Sequence, residues 1–410
     1  MHTRPMWVWG CGLLMAAQAS AAGEKTTCRD SALREGPGAY FEIVQPVAKG
    51  SKVATGETRD SWVSVRSGAT EGWMPSKAFE PGKPGMDYMG MLSESGAVTL
   101  SSVDIAAATK GWINGAYSNQ YTANLPRLKQ LDRISVDRQF VSSLRLALRD
   151  RSGEEVLSRL PYRKFENTMI LAPDAEAELG RTLAAARLVT TGFVDDLRVI
   201  RYVNAVAAVV GAKTERYDVA YRVAILDDAG VNGFGLPGGY ILITRGLLNA
   251  MQDEAELACA LGHEMAHVSL YHGVREFKKR DKYRHRDEAF AELEKATGNP
   301  PGEVELDLQD LADEAYLKII AGRARADEFE ADLFGAAYAA AAGYEPDALA
   351  DLLTRVDREH GGQDMFRHHP PSGDRLVALK EGVAKYHLRW QGQKRLQERF
   401  AKEISQREGR

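Results

Sequence analysis

The string "ACALGHEMAHVSLYH" constrains this chain more than any other part of its sequence, because it sets two histidines four residues apart in a helical context. Residues i and i+4 of an α-helix lie on one face, so His263 and His267 can present both imidazoles to one metal ion. Glu264 stands beside them, where it can act on a water molecule at that metal. Two imidazoles and an adjacent carboxylate suit zinc and hydrolytic chemistry. The pattern therefore predicts a helix that carries a metal site.

A catalytic zinc ion needs a third protein ligand, and the helical string "RADEFEADLFGAAYAAAAGYEP" offers a candidate. Glu328 and Asp332 lie four residues apart and share one helix face. Glu328 can complete a His-His-Glu site, while Asp332 can accept a hydrogen bond from a ligand imidazole and fix its tautomer. We expect one zinc ion per chain. Three nearby side chains are expected on other helical faces and are not counted as ligands: Asp327, Glu330 and His272.

Four motifs follow one another along residues 173–379: "NGFGLPGGYILITRGLL", "DEAELACALGHEMAHV", "EFEADLFG" and "HPPSGDR". In this order and spacing they resemble the gluzincin endopeptidases related to the CAAX prenyl protease and to the HtpX and Oma peptidases. The resemblance implies that His263, His267 and Glu328 are the zinc ligands and that Glu264 is the general base of peptide hydrolysis. The chain is more similar to the exported members without transmembrane helices, which act in protein quality control of the envelope.

Further site residues come from the same motifs. His369, in "RHHPPSGDR", matches the family's His-Pro position, where the imidazole either stabilises the oxyanion or occupies the fourth zinc position in a latent state; the sequence leaves both open. Arg375 either pairs with an acidic group near the site or is a surface arginine. Asn232, Gly235 and Gly238 are the candidates for substrate binding, in an edge strand that pairs with the backbone of an extended peptide.

The first 22 residues have the pattern of a secretory signal peptide: a basic start, an apolar stretch and an Ala-Ser-Ala cleavage signal. An uncleaved membrane anchor is the alternative, although the apolar run falls short of the ~20 residues that span a bilayer. We therefore expect an exported, periplasmic or cell-envelope protein with no transmembrane segment in its mature chain. Cys28 and Cys259 remain after cleavage, and whether they pair is left open.

Residues 28–80 alternate apolar and polar side chains, as in "SWVSVRS", with Gly and Pro at short intervals. This pattern predicts a small all-β barrel. The segment resembles a bacterial SH3-like domain, and the resemblance implies a module that binds a peptide or cell-wall ligand. The alternative is a barrel that only packs on the next domain.

The rest of the chain divides by composition into a Pro- and Gly-containing linker (81–99), a helical connector (100–169), the zinc metallopeptidase domain (170–390) and a charged tail (391–410). Within the peptidase domain, "YRVAIL" and "YILIT" are predicted strands, and a long helical region is predicted to begin at Thr244. The predicted fold class is multidomain: a small all-β SH3-like barrel followed by a mainly α (α+β) HExxH metallopeptidase domain.

The sequence thus predicts an exported zinc-dependent endopeptidase that acts on unfolded or damaged envelope proteins, with a protein or peptide as substrate. Nucleic acid is not an expected partner, because 53 Lys and Arg against 57 Asp and Glu leave a net charge of -4. The alternative is a zinc-bearing chaperone-like or binding factor that the SH3-like domain targets. Glu264 argues against it, since a structural zinc site needs ligands but no base.

Overall fold

The computed structural model describes residues 23–80 except 29–30, 39–40, 42 and 60–61, and then residues 136–161, 176–177, 180–181, 183–184, 191–216, 219–272, 325–360 and 372–404. Two compact units result, of which the first ends at Glu80. The predicted signal peptide, the linker and His369 lie outside the described residues. Within the described residues, no helix combines the length and the apolar character that crossing a bilayer requires.

The N-terminal unit is a six-stranded antiparallel sheet. Its strands are β1 (Gly23–Thr26), β2 (Ser31–Arg34), β3 (Ile43–Val47), β4 (Lys52–Arg59), β5 (Trp62–Ser67) and β6 (Thr70–Pro75), in the spatial order β1-β4-β5-β6-β2-β3. The alternation in β5 turns Val63 and Val65 inward, where they pack with Leu33, Val53 and Met74. The unit is therefore a β-sheet with one buried face, as the alternating pattern predicts, followed by a short 3-10 helix (Ser76–Phe79) whose Ala78 joins the same core.

The second unit is mainly helical and contains a small sheet. Its elements are α1 (Arg138–Leu146), α2 (Gly153–Leu157), α3 (Leu197–Gly211), β7 (Arg222–Leu226), β8 (Gly233–Leu236), β9 (Tyr240–Thr244), α4 (Arg245–Ala250), α5 (Glu254–Ser269), α6 (Arg325–Ala341), α7 (Ala348–His360), α8 (Ser372–Lys385) and α9 (Gln397–Ile404). In the sheet, β9 lies between β7, to which it is parallel, and β8, to which it is antiparallel. β8 is thus an edge strand.

The helical region predicted from Thr244 onward is two helices. The Thr244 hydroxyl accepts a hydrogen bond from the Leu247 N–H and caps α4. The chain then leaves helical geometry, and Asp253 caps α5 by accepting from the Glu256 N–H. Each cap satisfies an N–H group that the first turn of a helix leaves without a partner. The break sets the direction of α5 independently of α4.

Helix α5 runs through the core, and all sixteen of its residues are buried. It packs against α6 at two glycines. A Cβ atom added at Gly262 would lie 2.6 Å from the Gly335 carbonyl oxygen, and one added at Gly335 would lie 2.5 Å from the His263 nitrogen. Both distances are shorter than real Cβ contacts, so the two backbones approach this closely only because neither residue has a side chain.

Gly335→Ala is accordingly expected to lower the free energy of unfolding by about 1–3 kcal/mol, because the methyl group meets main-chain atoms that cannot rotate away. Urea unfolding measures the change. Gly373→Ala is the matched control, since a Cβ atom at Gly373 in α8 meets nothing within 4 Å. Equal stability of the two variants would contradict the close helix–helix contact.

The C-terminal residues dock on the first turn of α5. Arg399 of α9 forms hydrogen bonds with Glu254, and Tyr202 and Tyr344 donate their hydroxyl hydrogens to the same carboxylate at 2.9 and 2.7 Å. Phe400 is buried beside them. Although the composition suggests a charged tail from residue 391, the segment as far as Ile404 is ordered by these contacts and covers the start of α5.

Candidate metal centre

Helices α5 and α6 bring together His263, His267 and Glu328, all buried. The Nε2 atoms of the two histidines are 3.1 Å apart. The Glu328 carboxylate lies 3.5 Å from Nε2 of His263 and 3.4 Å from Nε2 of His267. His263 and His267, four residues apart, and Glu328, 61 residues after His267, therefore converge on one point.

The spacing and orientation of these donors fit a zinc ion. Zinc bonds of about 2.0–2.1 Å in a tetrahedron require neighbouring ligand atoms about 3.3–3.4 Å apart, close to the separations observed. Nδ1 of His263 is 2.9 Å from Asp332, and Nδ1 of His267 is 2.8 Å from His272. With both Nδ1 atoms occupied by protein partners, both Nε2 atoms face the Glu328 carboxylate. Three ligands leave the fourth tetrahedral position for a water molecule or a substrate.

Asp332 is held by two buried partners. Its carboxylate accepts two hydrogen bonds from Arg375, at 2.7 and 2.8 Å, and faces Nδ1 of His263 at 2.9 Å. Burial raises the pKa of Asp332, but the charges and hydrogen bonds of Arg375 and His263 outweigh burial and hold the pKa below its ordinary value. Arg375 is therefore no surface arginine: it is buried and donates two hydrogen bonds to the carboxylate that lies against Nδ1 of His263.

The carboxylates around His263 favour a positive charge at this place. Burial lowers the pKa of His263, but hydrogen bonds and charges from Asp332 and Glu328 raise it to about 9. A proton or a metal ion can satisfy this preference, and the two compete for the same imidazole. Burial lowers the pKa of Arg375, but Asp332 first, and then Glu328 and Glu264, raise it above its ordinary value.

Glu264 lies between the metal-site histidines in sequence and against β8 in space. A Cβ atom at Gly233 would lie 2.6 Å from the Glu264 carboxylate oxygen Oε1, and one at Gly235 would lie 2.2 Å from its backbone carbonyl. The two glycines let the edge strand pass directly beside the candidate base. The sequence prediction named Gly235 but not Gly233. The contact of Gly233 with the Glu264 carboxylate depends on how α5 crosses the sheet, which the sequence does not show.

The other two predicted substrate-binding residues occupy different surroundings. The Asn232 side chain accepts a hydrogen bond from the Gly233 N–H at 2.9 Å, at the start of β8. Gly238 lies in the β8–β9 turn at φ +68, with Ala177 beside it, and donates its N–H to Glu176. A substrate-binding role stays a prediction for Asn232, Gly235 and Gly238. Gly238 contacts residues 176–177.

His272 takes part in the site although helical periodicity excluded it. Helix α5 ends at Ser269, and the chain turns back so that Nδ1 of His272 meets His267. Asp327 and Glu330, also expected elsewhere, face Nε2 of His272 at 3.9 and 3.1 Å. The expectation for His272 assumed that α5 continues as one helix, and the end of α5 at Ser269 makes that assumption wrong. Asp327 and Glu330 belong to a separate cluster from His263, His267 and Glu328. That none of the three is a ligand of the predicted zinc ion stays a prediction.

The two cysteines that follow the predicted signal peptide, Cys28 and Cys259, are each free thiols. Cys259 is buried in α5, where its Sγ atom lies against the Glu345 and Pro346 carbonyls. Cys28 belongs to the N-terminal unit and donates its thiol hydrogen to the Phe79 carbonyl at 3.4 Å.

Comparison with known proteins finds similarity to metallopeptidases, in agreement with the metal-binding geometry of His263, His267 and Glu328. Residues 194–383 match the family described as Peptidase family M48, a segment that includes all of the metal-centre residues above. A beta-barrel assembly-enhancing protease of Vibrio cholerae is 29% identical over 177 residues, which are 40% of this chain and 34% of that protein. Metalloprotease YcaL of Escherichia coli is 29% identical over 182 residues, 44% of this chain and 68% of that protein.

Mitochondrial metalloendopeptidase OMA1 of Arabidopsis thaliana is 28% identical over 165 residues, 40% of this chain and 32% of that protein. The matched region thus spans about a third of the Vibrio and Arabidopsis proteins and about two thirds of the Escherichia protein.

Proposed function

We propose that the chain is a zinc endopeptidase of the M48 type, because residues 194–383 match Peptidase family M48, and that it hydrolyses internal peptide bonds of unfolded or damaged proteins of the cell envelope. The observation that carries the proposal is the convergence of His263, His267 and Glu328 on one point, with Glu264 on the same helix. A structural zinc site would have no use for a carboxylate in that position.

The residues of the chain divide the chemistry among them. His263, His267 and Glu328 would hold the zinc ion, which would supply Lewis acidity and lower the pKa of water for attack on the scissile carbonyl. Glu264 accepts a proton from the attacking water and passes it to the departing amine, as a general base and then a general acid. Asp332 would keep His263 in its ligating orientation. His369, which lies outside the described residues, is assigned by the sequence alone, either as an oxyanion stabiliser or as a zinc latch in a latent state.

Edge strand β8 is proposed to hold the substrate. Among the described residues, β8 pairs with β9 on one side and has no strand on the other. An extended peptide that pairs with this edge would lie next to Glu264, because Gly233 and Gly235 contact that residue. Recognition through main-chain hydrogen bonds tolerates many side chains, which suits unfolded proteins as substrates.

The proposed location in the envelope rests on the signal-peptide pattern of residues 1–22 and on the name of the Vibrio cholerae relative, a beta-barrel assembly-enhancing protease. The N-terminal sheet is proposed to be an SH3-like barrel that binds a peptide or cell-wall ligand. A surface cavity of about 440 Å³ in this unit, lined by Thr55, Arg66 and Trp73 among others, is a candidate place for such a ligand.

Degradation of an unfolded test protein, reduced and carboxymethylated casein, by the purified chain tests the proposed activity. Fragments are expected from the zinc-loaded chain and not after treatment with a chelator, and added zinc is expected to restore cleavage, because metal removal takes away the activated water. Size analysis of the fragments distinguishes internal cleavage from trimming of the ends. Chelator-resistant cleavage, or loss of single terminal residues only, would contradict a zinc endopeptidase.

A further inference from the structure

The chain reverses directly after α5. Leu270 is the C-cap of the helix, and the next two N–H groups turn back: that of Tyr271 donates to the Val268 carbonyl at 3.1 Å, and that of His272 to the His267 carbonyl at 3.0 Å. This pair of hydrogen bonds defines a Schellman motif. The motif returns the chain to the last turn of α5, so His272 lies beside His267 although five residues separate them.

The turn is maintained against a local backbone cost. Tyr271 has φ 56, in the left-handed region that glycine usually occupies at this point of a Schellman motif. The Arg216 guanidinium lies 4.8 Å from the centre of the Tyr271 ring, and Arg216 is itself held by two hydrogen bonds to buried Glu176. Surrounding contacts therefore compensate for the unfavourable backbone, and a conformation held in this way is a reason to ask what it positions.

The side chain that the turn positions is His272, which is buried between two groups. Its Nδ1 atom is 2.8 Å from Nδ1 of His267, and its Nε2 atom is 3.1 Å from a carboxylate oxygen of Glu330. Asp327 lies further away, at 3.9 Å from Nε2. His272 thus connects one residue of the metal centre to a carboxylate on α6.

The hydrogen bonds have one direction when zinc is bound. Two Nδ1 atoms in contact share one proton, so one ring donates and the other accepts. A neutral imidazole that ligates zinc through Nε2 carries its proton on Nδ1, and His267 therefore donates to His272. His272 then has its own proton on Nε2 and donates it to Glu330. The sequence of donors is His267, His272 and Glu330.

We propose that His272 is a positioning residue of the zinc site, which holds His267 in the tautomer and orientation that direct its Nε2 lone pair at the metal. Glu330 fixes His272 in turn. Both metal-site imidazoles are then oriented through their Nδ1 atoms. His263 contacts the Asp332 carboxylate directly, and His267 contacts the imidazole of His272. The inference rests on the proposed function only in taking zinc as the ion that His263, His267 and Glu328 bind.

A second metal ion is the competing explanation, because donor atoms of His272, Asp327 and Glu330 lie within 4.8 Å of one another. A metal on Nε2 of His272 would displace the proton of that ring to Nδ1. His267 would then face a donor with its own Nδ1 and would have to ligate zinc as an anion. The hydrogen-bond sequence from His267 through His272 to Glu330 leaves both imidazoles neutral. The positions of the ring protons therefore favour a positioning role for His272 over a second metal ion.

Zinc affinity of the full chain, measured by competition with a chromogenic chelator, tests the proposal. His272→Leu removes the acceptor for the His267 Nδ1–H and is expected to weaken zinc binding by on the order of 10- to 100-fold. His272→Gln offers an amide oxygen to His267 and an amide N–H to Glu330, and is expected to restore the parental affinity. Rescue by glutamine separates positioning from a merely structural role.

Cys259→Ala is the matched control, a truncation on buried α5 at a residue whose sulfur lies against the Glu345 and Pro346 carbonyls. It is expected to lose stability and to keep the parental zinc affinity. Parental affinity in His272→Leu would overturn the proposal, as would an equal loss in Cys259→Ala. Two zinc ions per parental chain, one of which His272→Leu loses, would assign a second metal site instead. None of these measurements depends on peptide cleavage, so absence of peptidase activity would leave the inference standing.

Discussion

Glu264→Gln is expected to slow peptide hydrolysis by about 10²- to 10⁴-fold, because glutamine keeps the shape of the side chain and cannot accept a proton from water. Zinc binding should not change, since Glu264 is not among the three side chains that converge on the metal position. Initial rates of casein cleavage and zinc content, measured on the same preparation, give both quantities.

Glu381→Gln, at an exposed residue of α8, is the control for this variant, because it makes the same chemical change away from the site. It should cleave casein at the parental rate. If the Glu264 variant also cleaves at that rate with zinc in place, another group is the base. A Glu264 variant without zinc would instead show that the carboxylate supports the metal centre, and the proposed division of roles would be wrong.

Asp332→Ala is expected to lower the free energy of unfolding of the zinc-depleted chain by about 3–5 kcal/mol. The change leaves the guanidinium of Arg375, which is 2% exposed, without the carboxylate that accepts its two hydrogen bonds. A buried charge that loses its partner retains its desolvation penalty. Urea unfolding in the presence of a chelator measures the change without a contribution from zinc binding.

The double variant Asp332→Leu with Arg375→Met separates the two roles of Asp332. Replacing both partners with apolar side chains is expected to recover most of the lost stability, because no uncompensated charge remains. Zinc affinity should stay reduced, because Nδ1 of His263 has still lost its acceptor. If zinc affinity recovers together with stability, Asp332 acts only through the fold and does not orient the ligand.

The parts of the site that follow from helical periodicity were predictable from the sequence. His263 and His267 share a face of α5, as their spacing requires, and Glu328 and Asp332 share a face of α6. That the two faces meet was an inference from the need of zinc for a third ligand, since the periodicity of a helix does not show which other helix packs against it. The alternation in "SWVSVRS" likewise predicted strand β5 and its buried valines.

Other features depend on where helices end and how they cross, which periodicity does not contain. The place of His272 follows from a reversal at Tyr271, a residue that does not signal a helix end as glycine would. The contact of Gly262 with Gly335 is visible only once α5 and α6 are packed. Arg375 was left open between a site and a surface role, because only the fold shows that it is buried.

Anomalous diffraction at the zinc absorption edge, from crystals of the purified chain, tests the central claim most directly. One peak is predicted, bound by Nε2 of His263, Nε2 of His267 and the Glu328 carboxylate at about 2.0–2.2 Å. A peak bound by His272 and Glu330 instead, or zinc-soaked crystals without density between the three predicted ligands, would contradict the account.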